Sequence, residues 1–180
     1  MHLSAIQSLN DFKKAYLDEI DHEVKILEIG SQSINESIKK YLMASNKIKY
    51  IRKLKKGIIL EKDNPNKKFI TNYKDIKKYF KYFNKILFKD KLNNFNDIKI
   101  RKMNNCSGQC VENISYYKGT SFFVLELKPV YKSKIEFLNT LSHEMLHLWQ
   151  MTIQHDNGKH NRLFFSFKSK FKKLNLSLSY

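Results

Sequence analysis

Apolar positions recur every three to four residues across 4–29, at Ile6, Leu9, Phe12, Tyr16, Ile20, Val24 and Leu27, and this spacing predicts a helix. Gly30 is the expected stop, and Ser31 or Ser33 the expected cap of a second helix over roughly 33–45, with Ile34, Ile38, Tyr41 and Leu42 on one side. The pair is expected to close into an antiparallel hairpin packed on the main domain; a coiled coil with a partner is the alternative. Residues 47–63 interleave lysines with Ile48, Tyr50, Ile51, Leu54, Ile58, Ile59 and Leu60. They read either as two short strands around Lys55-Lys56-Gly57 or as a basic helix ending at Gly57. Asp63-Asn64-Pro65-Asn66 is the clearest break. Residues 1–70 therefore read as an N-terminal helical and basic appendage, and 71–180 as the main domain.

Thr71 or Asn72 can cap a strong helix over about 73–88, with Tyr73, Ile76, Tyr79, Phe80, Phe83, Ile86, Leu87 and Phe88 at helical spacing. A polar loop, 90–96, follows. The period then changes to two. Ile98 to Met103 alternates as a strand, Val111 to Tyr117 reads as a second, and Thr120 to Leu127 as a third, with Lys118-Gly119 as a hairpin turn and Pro129 closing the last. Residues 133–153 return to a helical pattern that Asp156-Asn157-Gly158 ends, and 160–173 give a final amphipathic helix with Leu163, Phe164, Phe167 and Phe171. The expected fold class is α+β: a small antiparallel three-stranded sheet packed on helices.

Composition narrows the class. With 180 residues and 42% hydrophobic, the chain can bury a sizeable core. No run is long and apolar enough for a membrane span, and no signal peptide is evident at the start, so no membrane partner is expected. Cys106 and Cys110 are the only two cysteines. They suit packing around a tight turn in a reducing, cytoplasmic location better than a disulfide framework. The 34 basic and 17 acidic residues leave a net charge of +17. Such a field attracts phosphate backbones and implies contact with DNA through a lysine-rich surface, without reading of base sequence. Codon bias explains why the bases are nearly all lysine, but not why acids number only half of them. Nothing fixes the oligomeric state, and a monomer is expected.

The 133–153 helix carries His143-Glu144-Met145-Leu146-His147. Two histidines four residues apart lie on one helical face and can reach a single ion, and the glutamate between them can lean over that ion's open position. Zinc suits such a set, because three protein ligands leave a fourth position for water, from which Glu144 could take a proton. No glutamate follows Glu144, so a downstream Glu ligand is excluded; Gln150 and Ile153 stand where an extended Gly-x-x-His pattern would need Gly and His. His155, Asp156 and His160 remain as candidates. On a continuing helix His155 would sit about 12 Å beyond His147. A chain reversal at Asp156-Asn157-Gly158 could instead bring His160 back to the metal, and His160 is the expected third ligand. His2 and His22 read as surface residues.

The order and spacing of His143-Glu144-x-x-His147 and His160 with Phe164 four residues on resembles the SprT-like (Spartan-type) zinc metalloprotease domain, a zincin-like fold. Tyr79-Phe80-x-x-Phe83-Asn84-x-x-Leu87-Phe88, Ser107-Gly108-x-Cys110 and Leu125-Glu126-Leu127-Lys128-Pro129 look like its first helix, a turn between its strands and the strand before its active-site helix, so that the similarity spans about 73–173. The resemblance implies a zinc endopeptidase that acts on DNA-bound or DNA-crosslinked proteins, in the manner of DNA–protein crosslink repair, with DNA as activator. It implies zinc ligation by His143, His147 and His160, and Glu144 as catalytic base. Asn161 departs from the family's usual Gly, and a left-handed backbone is expected there. No zinc ribbon follows in this sequence, so targeting is expected from residues 1–70, the lysine surface or another protein. Tyr116, Tyr117 and Arg162 are oxyanion-stabilising candidates by type alone. The alternatives are a zinc peptidase with a target unrelated to DNA, and a non-catalytic basic nucleic-acid-binding protein with structural zinc.

Overall fold

The computed structural model describes the backbone of residues 2–62, 67–115, 117 and 119–178; within the first helix it describes side chains for 17, 18, 20–22 and 24–57. The break at Asp63-Asn64-Pro65-Asn66, Lys118 of the hairpin turn and Tyr116 lie outside the described residues, as do the side chains of His2, Ile6, Leu9, Phe12, Tyr16, Ile58, Ile59 and Leu60.

Helix α1 runs unbroken from His2 to Lys62. The expected stop at Gly30, the helical hairpin and the strand pair around Gly57 are therefore corrected to one helix. A lone glycine costs a helix only about 1 kcal/mol relative to Ala, and no proline accompanies Gly30 or Gly57. The chain divides into two compact units, Met1–Asn46 and Lys47–Tyr180. The first unit is a length of α1 whose described apolar side chains are exposed. In the second, Leu54 is fully buried in the core, and Tyr50 meets Tyr82 edge-on at 5.2 Å.

The second unit is α+β. Strand β1 (Phe69–Ile70) pairs antiparallel with β5 (Val130–Tyr131). Helix α2 (Tyr73–Leu87) is capped by Asn72, whose side chain accepts from the Asp75 N–H at 2.8 Å. Thr71 instead donates to the Lys128 carbonyl. Ile76, Tyr79, Phe80, Phe83 and Leu87 form the buried face of α2. Its Asn84 donates to the Leu92 carbonyl and accepts from the Leu92 N–H, pinning the loop that follows.

The three-stranded sheet holds β2 (Asp97–Ile100), β3 (Gly108–Ile114) and β4 (Ser121–Leu127) in the order β2-β4-β3. Strands β3 and β4 form the expected antiparallel hairpin, but β2 runs parallel to β4, so the all-antiparallel expectation is corrected to a mixed sheet. The cause is the 101–107 connection. It carries the chain past the place that β4 later fills, and β4 enters between the two earlier strands. Buried Glu126 on β4 ties both neighbours, accepting from Arg101 Nε at 2.8 Å and Gln109 Nε2 at 2.6 Å. The Arg101 guanidinium holds its carboxyl below the usual carboxylate range.

Helix α3 (Lys134–Ile153) matches the expected long helix and is capped by Ser133. Its buried side, with Phe137, Leu138, Leu141, Met145 and Leu148, belongs to the same core as α2 and the sheet. The last expected helix is two short ones, α4 (Arg162–Phe165) and α5 (Lys168–Lys172). Phe164, Phe167 and Phe171 are buried as the pattern predicts.

Candidate metal centre

Helix α3 presents His143 and His147 one turn apart, and the chain reversal after α3 returns His160 beside them. Their Nε2 atoms lie 3.1 Å (His143–His147), 3.1 Å (His147–His160) and 3.0 Å (His143–His160) apart. The ring of fully buried Phe164 packs against all three imidazoles, with centroids at 4.9, 4.9 and 4.5 Å. Burial, with the neighbouring imidazoles, pushes His143 down to about 3 and lowers His147 as well. All three histidines offer one ligand atom to a common point and could hold a metal ion.

The donor chemistry fits a cation. A neutral imidazole nitrogen is either a donor or an acceptor, so three mutually close Nε2 atoms cannot all satisfy one another. A central ion can accept three lone pairs at once. Tetrahedral zinc with Zn–N near 2.0–2.1 Å places its nitrogens about 3.3 Å apart, within a few tenths of an ångström of the spacing here. The His147 Nδ1–H faces Gln150 Oε1 at 3.2 Å and the Gly158 carbonyl, which leaves the Nε2 lone pair aimed at the centre.

The sequence marks Gln150 only as the residue where an extended Gly-x-x-His pattern would need glycine, yet it organises the site. It is fully buried, and its Nε2 lies within hydrogen-bond reach of Asp156 Oδ2 (3.1 Å), the Lys159 carbonyl (3.0 Å) and Asn161 Oδ1 (3.3 Å), with its two protons shared among these three acceptors. One side chain thus orients His147 and fastens the reversal that delivers His160. Asn161 donates to Asp156 at 2.7 Å and caps α4 by accepting from the Phe164 N–H at 3.1 Å. Its φ is −102°, which corrects the expected left-handed backbone. That conformation falls to His155 (φ 52°) and Gly158 (φ 66°) instead. A side chain at Gly158 would also crowd Met151, 3.0 Å from where Cβ would stand. The only signal for Gln150 in the sequence was its place three residues after His147, one turn along the helix.

Glu144 is 5% exposed and faces the same cleft. Burial pushes its carboxyl up to about 8, partly offset by the Cys110 N–H that donates to it from β3. The cleft holds about 730 Å³ and lies between the 105–109 loop and β3 on one side and α3 with the 157–160 reversal on the other. Asn139 on α3 exchanges two hydrogen bonds with Ser177, fastening the C-terminal strap at the rim. Not every candidate joins the site. His155 and His22 are exposed, and Asp156 serves as a loop anchor. Tyr117 is 95% exposed, and neither it nor Arg162 lines the cleft. Cys106 and Cys110 are free thiols at the cleft wall, the second pushed up by burial.

Three convergent histidines with a buried carboxylate next to the first, in an α+β fold, define a metallopeptidase-like domain. The chain belongs to the SprT-like family: the model of that family matches residues 76–178, more than half of the 180-residue chain. No curated protein and no solved structure shows significant similarity to it.

Proposed function

We propose that this protein is a zinc-dependent endopeptidase in which His143, His147 and His160 hold the metal and Glu144 is the catalytic base. The observation that carries the reading is the convergence of three imidazole nitrogens beside Glu144 in one open cleft. Zinc bound there supplies Lewis acidity toward the scissile carbonyl and lowers the pKa of water to about 7. With a dication held by the three histidines, the ionised form of the buried Glu144 is favoured, and it takes the proton of the attacking water and delivers it to the departing amine. The Cys110 N–H holds the carboxylate in position, and the Gln150 network holds the ligands. A carboxylate so placed has no use in a purely structural site.

The favoured substrates are proteins bound or crosslinked to DNA in the cytoplasm, with DNA engaged through backbone charge. The net charge of +17 supports this. The test is degradation of a DNA-bound protein with and without DNA, wild type beside Glu144→Gln. Glu144→Gln is expected to retain zinc and lose cleavage by roughly 10²–10⁴-fold, the span of general acid–base contributions. Unchanged cleavage sinks the mechanism, and cleavage indifferent to DNA and salt moves the target away from DNA-bound proteins.

A further inference from the structure

Between Leu17 and Ile48 positions alternating in steps of three and four form a heptad seam on α1 that is apolar except at Ser31 and Ser45. The a positions hold Leu17, Val24, Ser31, Ile38 and Ser45. The d positions hold Ile20, Leu27, Ile34, Tyr41 and Ile48. The seam is bounded by polar residues on the same register, Asn10 and Lys13 before it and Arg52 and Lys55 after it. All its apolar side chains are exposed, from 40% at Ile20 to 75% at Tyr41. The hairpin expected from the sequence would have covered them within one chain. The unbroken helix removes that cover, and an exposed seam of eight apolar side chains, interrupted at Ser31 and Ser45, marks an interaction surface.

Charge decides what covers it. Exposed Asp18, Asp21, Glu28 and Glu36 lie in the first half of the seam, where Lys25 is the one lysine or arginine between 17 and 36. Lys39, Lys40, Lys47, Lys49 and Arg52 lie in the second half and beyond, with no acid between 37 and 56. A parallel pair would lay acid along acid and base along base. An antiparallel pair lays each half against its opposite.

We propose that α1 pairs with α1 of a second copy of this chain as an antiparallel two-stranded coiled coil. The pair is two-fold symmetric, so each contact occurs twice. In the register that overlaps the whole seam, Leu17 meets Ile48 of the second copy, Val24 meets Tyr41, and Leu27 meets Ile38. Asp21 then faces Lys49 at the flanking e positions. The dimer stands independently of the peptidase reading, because it uses no residue of the cleft.

Light scattering on the full chain tests this, with a mass of about twice 21.5 kDa expected. Ile34→Asp, near the two-fold axis, is expected to give a monomer of unchanged metal content. Asp21→Lys and Lys49→Asp are each expected to weaken dimerisation by about tenfold, through lost and reversed pairs, and the double exchange to restore it. Restoration also separates antiparallel from parallel pairing, since only the former brings the two positions together. A monomeric wild type at every concentration, a larger assembly, or a double variant no tighter than the single ones overturns the proposal.

Discussion

At the scale of single residues, the centre depends on groups that do not touch the metal position. Gln150 fixes the tautomer of His147 and also holds Asp156, Lys159 and Asn161 in the loop that carries His160. Replacing such an outer partner of a ligand costs about 10–100-fold in metal affinity. Gln150→Leu is therefore expected to lower zinc affinity by that amount in a chelator competition, while the folded state persists. The histidines also set a pH response in the metal-free protein. The folded pKa of His143, about 3, lies below the ordinary 6.5, and His147 shifts the same way. Between those values the unfolded chain binds more protons at the two histidines than the folded one, so they lose stability as the pH drops below about 6.5. Glu144, raised to about 8, works the other way down to its ordinary 4.5, and two histidines against one carboxyl leave a net decline below about 6.5. Thermal melts of chelator-treated protein from about pH 6.5 to about 5 should show the decline, and His143→Phe should flatten it, because His147 and Glu144 then oppose each other.

At the scale of elements, the position of Glu144 is set by how closely β3 approaches α3. Gly108 opens β3 where a Cβ would stand 2.5 Å from Thr140 Cγ2 on α3 and 3.1 Å from a Leu127 methyl. Two residues on, the Cys110 N–H reaches the Glu144 carboxyl. Gly108→Ala must push the strand and helix apart, and overpacking of this kind costs about 1–3 kcal/mol. The expected result is a lowered Tm with a lowered kcat and unchanged zinc content. Unaltered kcat would mean that the β3 contact does not position the base. The long α1 follows a different logic. Its sequence supplies helix formers without proline, and Gly30 meets nothing within 4 Å, so no local feature ends it.

At the scale of the whole molecule, the excess of 34 basic over 17 acidic residues acts through its field rather than through any one contact. DNA binding measured by fluorescence anisotropy is expected to be insensitive to base sequence and to fall by at least about tenfold between ~50 and ~200 mM salt. Binding that is indifferent to salt would remove the phosphate backbone as the partner. No helix among the described residues is long and apolar enough to cross a membrane.

The sequence alone determined what local chemistry and short-range periodicity can encode. His143 and His147 share a helical face whatever the helix packs on, and the spans of α2 and α3 follow from spacing and capping residues. The β3–β4 hairpin was expected, but β3 starts at Gly108, inside the expected turn and three residues before Val111. The place of His160 was legible by elimination, because so few ligand types follow Glu144. Tertiary structure decided the rest. Whether β2 runs parallel or antiparallel depends on which strand enters between its neighbours, a choice made by a connection and not by any strand's own pattern. The passage of α1 through Gly30 reflects a small local penalty that the surrounding helix outweighs. Gln150 became visible only when the fold returned the 156–161 loop to α3, since a hydrogen-bonding hub is defined by partners that lie apart in sequence and together in space. The His-Glu-x-x-His helix named two of the histidines that converge here; the chain reversal that Gln150 fastens supplies the third.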